Sequence, residues 1–182
     1  MIHGNRGQVA DREYAIHCLS IEDSVFIPEY PGYGNRSGKP SRKSFNEAAE
    51  EAYLELMERF PGTPVCVVGE SIGSGGACYL ASLNSLPDKV ALVVPFDVLS
   101  SVAKEKFPSV IVNLVLKSNW NNVNSLSGYK GPVDIFGAKL DTVIPVSHEQ
   151  AIVQSVPNSE LTLIEGGHND WSRGDRVMFR NP

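Results

Sequence analysis

Residues 65–77 read VCVVGESIGSGGA, a β-branched run that passes through a glycine-flanked serine into a series of small residues. The run predicts a buried strand over Val65–Gly69, and the residues after it predict a helix over Ser74–Leu83. The turn between them, Gly69-Glu70-Ser71-Ile72-Gly73, has the form G-x-S-x-G. A serine on so sharp a turn needs small residues two positions before and after it, because the backbone there is strained. The context predicts Ser71 as a nucleophile at the end of a strand, and a glycine-rich turn without chemistry is the alternative.

Short apolar runs alternate with stretches of helical period over most of the chain. The predicted strands are Val25–Ile27, Val65–Gly69, Val90–Pro95, Val133–Gly137 and Leu161–Ile164. The predicted helices are Phe45–Phe60, with Ser44 as N-cap and Glu47 completing a capping box, Ser74–Leu83 and Ser147–Ser155. This alternation predicts an α/β fold with a mostly parallel sheet and helices on both faces.

The segment 97–130 does not follow the alternation. It holds one amphipathic stretch, Pro108–Leu116, followed by residues rich in asparagine and serine. The segment is too short for a folded cap domain, and we interpret it as a short insertion of helix and loop. A length of 182 residues suits one domain, so residues 1–182 are predicted to form a single domain.

Charge and composition argue against several classes of partner. The net charge is −5 and the pI about 5.4, whereas proteins that bind nucleic acids or anionic membranes present basic patches. No apolar run approaches the ~20 residues that span a membrane, and no signal peptide follows Met1. Three cysteines without regular spacing do not predict a disulfide framework. We expect a cytoplasmic protein without a membrane span, a nucleic-acid partner, a metal or a cofactor.

A nucleophilic serine needs a base, and the base needs a carboxylate that orients it. Behind a turn of this kind the expected order along the chain is serine, acid, histidine. Asp141 and His168 each follow a predicted strand, at the end where ligands bind in open α/β sheets. The sequence therefore predicts Ser71, Asp141 and His168 as a catalytic triad.

Other residues compete for the roles of base and acid. The disfavoured histidines lie too early in the chain or in predicted helices: His3, His17 and His148. Asp97 is the main alternative to Asp141, because it follows the predicted strand Val90–Pro95. Its other role would be a helix cap that accepts a hydrogen bond from a free backbone N–H.

Negative charge that develops on a substrate oxygen needs two N–H donors aimed at one point. The amide of Ile72 is one candidate, because it follows the serine at the start of a helix whose dipole favours negative charge. The amide of Asn5, in His3-Gly4-Asn5, is the second candidate. Glycines in Glu29–Gly38 allow a tight loop that passes near the site. This loop is not a phosphate loop, because it lacks the Gly-Lys-Ser/Thr ending.

Together these motifs resemble the α/β-hydrolase family. The elements that carry the resemblance span nearly the whole chain: His3-Gly4-Asn5, Tyr30–Gly38, Gly69–Gly73, Asp141–Pro145 and Gly167–Asp170. They are most similar to a branch without a cap domain, which includes bacterial carboxylesterases and protein depalmitoylase-like hydrolases. The resemblance implies the α/β-hydrolase fold and the following roles: Ser71 as nucleophile, Asp141 as acid, His168 as base, and the amides of Asn5 and Ile72 as oxyanion hole.

Two departures from the family pattern concern the first part of the chain. Glu29 and Pro31 replace the Asp and Arg that this branch commonly has, so local ion pairs are expected to differ. Family members also have several strands before the oxyanion loop, and here only Met1-Ile2 precedes it. A shortened strand beside Val65–Gly69 would leave edges of the sheet partly unpaired. The expectation is a minimal enzyme, a truncated one, or one whose sheet is completed by a second copy in a homodimer.

The motifs and the resemblance favour a carboxylesterase-like serine hydrolase. Its substrate would be a small-molecule ester or thioester with a small to medium acyl group, cleaved through an acyl-enzyme. The sequence does not separate esters from thioesters. The alternatives are a non-catalytic binding protein with an incomplete sheet and an acyltransferase that uses an alcohol instead of water.

Overall fold

The strands form one parallel sheet whose order follows the sequence. The computed structural model describes residues 1–5, 7–85, 87–109, 111–112, 119–173 and 177–179. Within them the strands are β1 Cys66–Glu70, β2 Lys89–Val93, β3 Val133–Ala138 and β4 Ser159–Ile164, in the order β1-β2-β3-β4. Every neighbouring pair is parallel, so all of these strands end at the same edge of the sheet. The predicted parallel α/β sheet is confirmed.

Different kinds of helix cover the two faces of the sheet. The α-helices are α1 Arg42–Arg59, α2 Gly73–Leu80, α3 Leu99–Lys106, α4 Asn122–Leu126 and α5 Ser147–Ser155. Buried side chains of α1, α2 and α5, among them Tyr53, Ala77 and Ile152, belong to one core cluster. The other face is covered by a 3₁₀ helix, Val9–Cys18, and by Trp171. Right-handed crossovers between sequential strands place the connecting helices on the same face, which explains this division.

Helix α2 lies very close to β1 and to the first residues of the chain. A Cβ on Gly69 would come within 2.7 Å of Ala77 Cβ, and one on Gly73 within 2.1 Å of the Ile2 carbonyl oxygen. No side chain fits at such distances. The glycines around Ser71 are therefore required by the close approach of the surrounding backbone, as the sequence pattern predicted.

The first residues of the chain pair only briefly with β1. Ile2 forms a parallel bridge with Gly69 and shares two backbone hydrogen bonds with β1, at 2.7 and 3.0 Å. On its other side, the Met1 amine donates to the Phe26 carbonyl at 2.5 Å. The predicted strand over Val25–Ile27 is wrong, because a ladder needs consecutive paired residues and its neighbour offers a single bridge. A cavity of about 390 Å³ remains between this segment, α1 and β1.

Helix α1 begins earlier than predicted. Its N-cap is Ser41, whose hydroxyl accepts from the Ser44 amide at 3.1 Å, while the Ser44 hydroxyl accepts from the Ser41 amide at 2.9 Å. Ser44 is therefore the third helical residue of a capping box and not the cap, and Glu47 takes no part in the box. Either serine could cap a helix in this sequence. The helix begins after Ser41 because Arg42 and Lys43 are good helix formers.

The segment 97–130 contains helix and loop, as predicted, but two of its helices lie outside the predicted amphipathic stretch. It holds α3 and α4, and an antiparallel bridge between Val98 and Asn121 closes its base. Of the predicted stretch Pro108–Leu116, residues 109, 111 and 112 are helical, and residues 110 and 113–116 lie outside the described residues. Helix α3 escaped prediction because Val102 is its one buried residue, so its sequence shows little apolar periodicity.

The described residues hold neither an α-helix long and apolar enough to cross a membrane nor a group of His, Cys, Asp and Glu that could hold a metal ion. Cys18, Cys66 and Cys78 are free thiols. Burial raises the pKa of both Cys18 and Cys66 to about 11, so at neutral pH these thiols are not ionised nucleophiles.

Candidate active site

Ser71 lies on the turn between β1 and α2, at the edge where the strands end. Its φ of 51° is in the left-handed region, which costs a residue other than glycine about 1 to 3 kcal/mol. The Ser71 amide donates to the Val93 carbonyl at 2.9 Å, and the Ser71 carbonyl accepts from the Ser74 amide at 3.0 Å. These bonds fix the strained turn, which carries the Ser71 hydroxyl at the edge of the sheet.

The side chains of Ser71, His168 and Asp141 form a continuous hydrogen-bonded line. Ser71 Oγ lies 2.9 Å from His168 Nε2, and His168 Nδ1 lies 2.7 Å from Asp141 Oδ2. Asp141 Oδ1 accepts from the amides of Val143 and Ile144 at 2.7 and 2.8 Å. A carboxylate fixed in this way accepts from Nδ1–H of the imidazole, which leaves Nε2 to accept from the serine hydroxyl. The structure thus brings together the three residues that the sequence singled out.

The alternative acid, Asp97, forms a second Asp–His pair. Asp97 Oδ1 lies 2.7 Å from Nδ1 of His148. Asp97 also accepts from the amide of Val98, but Val98 itself is the N-cap of α3, so the role of Asp97 as the helix cap is wrong. Each aspartate has its own histidine, and His168 is paired with Asp141.

Several contacts hold the segment His3-Gly4-Asn5 against the strand that carries the serine. The Gly4 amide donates to Glu70 Oε2 at 3.1 Å, and the Tyr30 hydroxyl donates to the His3 carbonyl at 2.9 Å. The Asn5 side chain accepts from the Tyr33 hydroxyl. Ile72 is the N-cap residue of α2, directly after the serine. The amides of Asn5 and Ile72 remain predicted, not demonstrated, oxyanion donors.

Glu29, one of the two residues at which this loop departs from the expected pattern, contacts two neighbouring segments. Its Oε1 lies 3.2 Å from His3 Nε2, and its Oε2 accepts from the Val9 amide at 3.1 Å. The His3 ring is fully buried, and this burial lowers the pKa of His3. Glu29 therefore contacts the segment His3-Gly4-Asn5 directly, a contact that the sequence analysis did not predict.

Comparison with known protein families shows which family this chain belongs to. A family model described as the alpha/beta hydrolase fold matches residues 1–104. The chain belongs to the α/β-hydrolase family. The match includes β1, β2 and the turn that carries Ser71, and it confirms the family that the motifs resemble.

This α/β-hydrolase is shorter than the curated relatives that it matches. It is 32% identical over 154 residues to alpha/beta hydrolase domain-containing protein 17C of Xenopus tropicalis, covering 82% of this chain and 48% of the relative. It is 26% identical over 181 residues to an uncharacterized protein of Mycobacterium tuberculosis, covering 97% of this chain and 63% of the relative. The chain thus spans 48 to 63% of the length of these two relatives.

Solved structures share the fold at low sequence identity. An alpha-beta hydrolase from Vibrio vulnificus superposes with a TM-score of 0.65 and 17% identity, covering 80% of this chain and 57% of that one. An esterase from Pyrococcus furiosus superposes with a TM-score of 0.61 and 18% identity, covering 78% of this chain and 60% of that one. These similarities show a common fold.

Glu149 on α5 is a buried acid that the sequence analysis missed. It is 0% exposed, and among the described residues neither oxygen has a hydrogen-bond partner outside Glu149 itself. A Cβ on Gly137 would lie 3.4 Å from Glu149 Cδ, so the carboxyl group packs directly against β3. Burial raises the pKa of Glu149 to about 8, and the Asp141 carboxylate contributes to the rise. Its spacing three residues before the buried Ile152 is the one signal that the sequence offers.

Replacing Glu149 by glutamine is expected to stabilise the protein at pH 8 and to change its stability little at pH 5. The folded state keeps the Glu149 proton up to a pKa of about 8, whereas the ordinary value for the unfolded chain is 4.5. Between these values the unfolded state binds fewer protons, so the wild-type free energy of unfolding falls by about 1.4 kcal/mol per pH unit from this group. Urea unfolding of both proteins at pH 5 and pH 8 measures the difference. Equal pH slopes for the two proteins would contradict the prediction.

Proposed function

We propose that this chain is a serine hydrolase that cleaves carboxylic ester or thioester bonds of small to medium acyl substrates through an acyl-enzyme. The observation that carries the proposal is the line of short contacts from Ser71 Oγ through the His168 ring to Asp141, at 2.9 and 2.7 Å. A neutral imidazole that accepts from a serine hydroxyl is a general base in place for nucleophilic attack.

The reaction proceeds through two tetrahedral intermediates. His168 takes the proton of the Ser71 hydroxyl as its oxygen attacks the acyl carbonyl, and Asp141 stabilises the imidazolium that forms. The amides of Ile72 and Asn5 donate to the oxyanion. His168 then gives its proton to the departing alcohol or thiol, which leaves the acyl group on Ser71. Water, deprotonated by His168, attacks this acyl-enzyme, and His168 returns that proton to Ser71 Oγ as the acid leaves.

Apolar side chains near the triad support an acyl substrate. Leu140 and Val143, which flank Asp141, are 69% and 43% exposed, and Phe107 at the end of α3 is 60% exposed. The Lys106 ammonium donates to the Thr142 carbonyl at 2.5 Å, which brings the end of α3 beside this loop. Exposed apolar groups beside a polar reaction centre suit a substrate with a hydrocarbon portion.

The test combines covalent labelling with a panel of esters. A fluorophosphonate probe is expected to label the native wild-type protein on the peptide that carries Ser71, as mass spectrometry would show, and to leave heat-denatured protein unlabelled. Turnover of p-nitrophenyl acetate, butyrate, octanoate and palmitate is expected to favour the shorter chains. A wild-type protein that is neither labelled nor active on any of the short esters would overturn the proposed function.

A further inference from the structure

Glu70, the residue before the serine, is buried and surrounded by hydrogen-bond donors. Its side chain lies in the interior, with the whole residue 7% exposed. The Tyr14 hydroxyl lies 2.7 and 2.8 Å from its two oxygens, Trp171 Nε1 donates to it at 3.0 Å, and the Gly4 amide donates to it at 3.1 Å. An ionised carboxylate has lone pairs for all these donors at once, and an amide of the same shape does not.

A guanidinium balances the charge of this carboxylate. Arg12 Nη1 lies 3.5 Å from Glu70 Oε2, and both side chains are buried. Without a nearby cation, a negative charge beside Ser71 would oppose the oxyanion that forms there. Burial raises the pKa of Tyr14, and Glu70 adds to this effect, so the Tyr14 hydroxyl keeps its proton and remains a donor.

One of these contacts reaches the segment that carries the proposed oxyanion donor. Because side chains alternate along a strand, Gly69 faces α2 and Glu70 faces the opposite side of β1. There its carboxylate meets the amide of Gly4, the residue before Asn5. This hydrogen bond to the Gly4 amide fixes the orientation of the backbone directly before Asn5.

Another contact reaches the segment that follows the base. Trp171 comes three residues after His168 and is 1% exposed. Its indole packs edge-on against the Tyr14 ring, with centroids 5.6 Å apart, while its N–H donates to Glu70. The bond therefore ties the His168 segment to the strand that ends at Ser71.

We propose that Glu70 is a positioning residue, which uses one carboxylate to fix the oxyanion segment and the His168 segment in register with Ser71. The inference rests on the proposed function and extends it to a residue that touches no substrate. An apolar side chain of similar size could fill the space but could not hold Gly4 and Trp171 in place.

Replacing Glu70 by glutamine is expected to lower kcat for p-nitrophenyl butyrate by about 10- to 100-fold and to leave KM within about twofold. The amide nitrogen of glutamine cannot accept from the N–H groups of Gly4 or Trp171, so at least one segment loses its bond. Donors that act on the oxyanion contribute in the transition state and little in the bound substrate, which is why kcat falls and KM does not. The rate of fluorophosphonate labelling is expected to fall in parallel.

Asp134→Asn is the matched control. Asp134 lies 2.6 Å from the buried Lys89 in another ion pair of the sheet, at the start of β3 and at the opposite end from the site. Its replacement is expected to lower the melting temperature without changing kcat, measured well below that temperature. Trp171→Phe removes one donor to Glu70 and is expected to lower kcat by about 3- to 10-fold. This variant provides the test if Glu70→Gln does not fold.

The outcomes distinguish a failure of the positioning role of Glu70 from a failure of the proposed hydrolase function. An active, labelled wild type together with Glu70→Gln and Trp171→Phe variants of unchanged kcat would overturn the positioning role and leave the hydrolase intact. Equal losses of kcat in Glu70→Gln and Asp134→Asn would also overturn it, since a general loss of stability would then explain both. A wild type without labelling or turnover would overturn the proposed function, and the positioning role with it.

Discussion

The Ser71→Ala variant is expected to hydrolyse p-nitrophenyl butyrate at least about 10⁴-fold more slowly than the wild type. The change removes the oxygen that lies 2.9 Å from His168 Nε2, which is the proposed nucleophile. The fold is expected to persist, because alanine carries the same Cβ at a φ of 51° and keeps the backbone bonds of the turn. Initial rates and the melting temperature of the purified proteins measure both effects.

Ser82→Ala is the control for this variant. Ser82 follows the end of α2, and its exposed hydroxyl donates to the Tyr79 carbonyl at 2.7 Å, so its loss is expected to leave the rate unchanged. Fluorophosphonate labelling should vanish in Ser71→Ala and persist in Ser82→Ala. Ester hydrolysis that survives in Ser71→Ala at the wild-type rate would show that the nucleophile lies elsewhere.

The Asp141→Asn variant is expected to lower kcat by about 10⁴-fold at neutral pH. Asp141 accepts from Nδ1–H of His168, and this bond selects the tautomer whose Nε2 is free to accept the serine proton. Asparagine can donate to Nδ1 through its amide, which places the ring proton on Nε2 and blocks the base. It also removes the charge that stabilises the imidazolium. Steady-state rates between pH 6 and 10 measure the loss, which is expected to shrink where hydroxide takes over as base.

Asp97→Asn offers a matched comparison within the same chain. Asp97 lies 2.7 Å from His148 Nδ1, the same separation that joins Asp141 to His168. Its replacement perturbs an Asp–His pair of equal geometry that does not contact Ser71. We expect Asp97→Asn to lower stability while kcat stays within a few-fold of the wild type. The reverse ranking of the two variants would assign the acid of the triad to Asp97.

Features set by local geometry could be predicted from the sequence. The turn around Ser71 must carry small residues because α2 and the Ile2-His3 backbone crowd it, and this requirement is visible in the sequence as glycines two positions before and after the serine. The parallel sheet followed from alternating apolar runs, and the order of Ser71, Asp141 and His168 along the chain gave their grouping. Each of these inferences depends on residues within one strand or one turn, or on the order of the residues along the chain.

Features set by distant partners could not be predicted. Val25–Ile27 has the composition of a strand, but a strand also needs a neighbour that pairs with it over several residues. The position of Glu70 in G-x-S-x-G accepts many residue types, and its contacts come from Gly4 and Trp171, 66 and 101 residues away. Glu149 lies in an ordinary amphipathic pattern, and its burial depends on β3.

Because the strands are parallel and in sequential order, each of them is followed by a polar side chain at the same edge of the sheet. Ser71 follows β1, Asp97 follows β2, Asp141 follows β3 and His168 follows β4. The insertion after β2 is closed at its base by the bridge between Val98 and Asn121, and from within it Lys106 donates to the Thr142 carbonyl, beside Asp141. On the proposed function, exchanging the residues between 98 and 121 is therefore a route to altered acyl preference, because this insertion reaches the loop that carries the proposed acid.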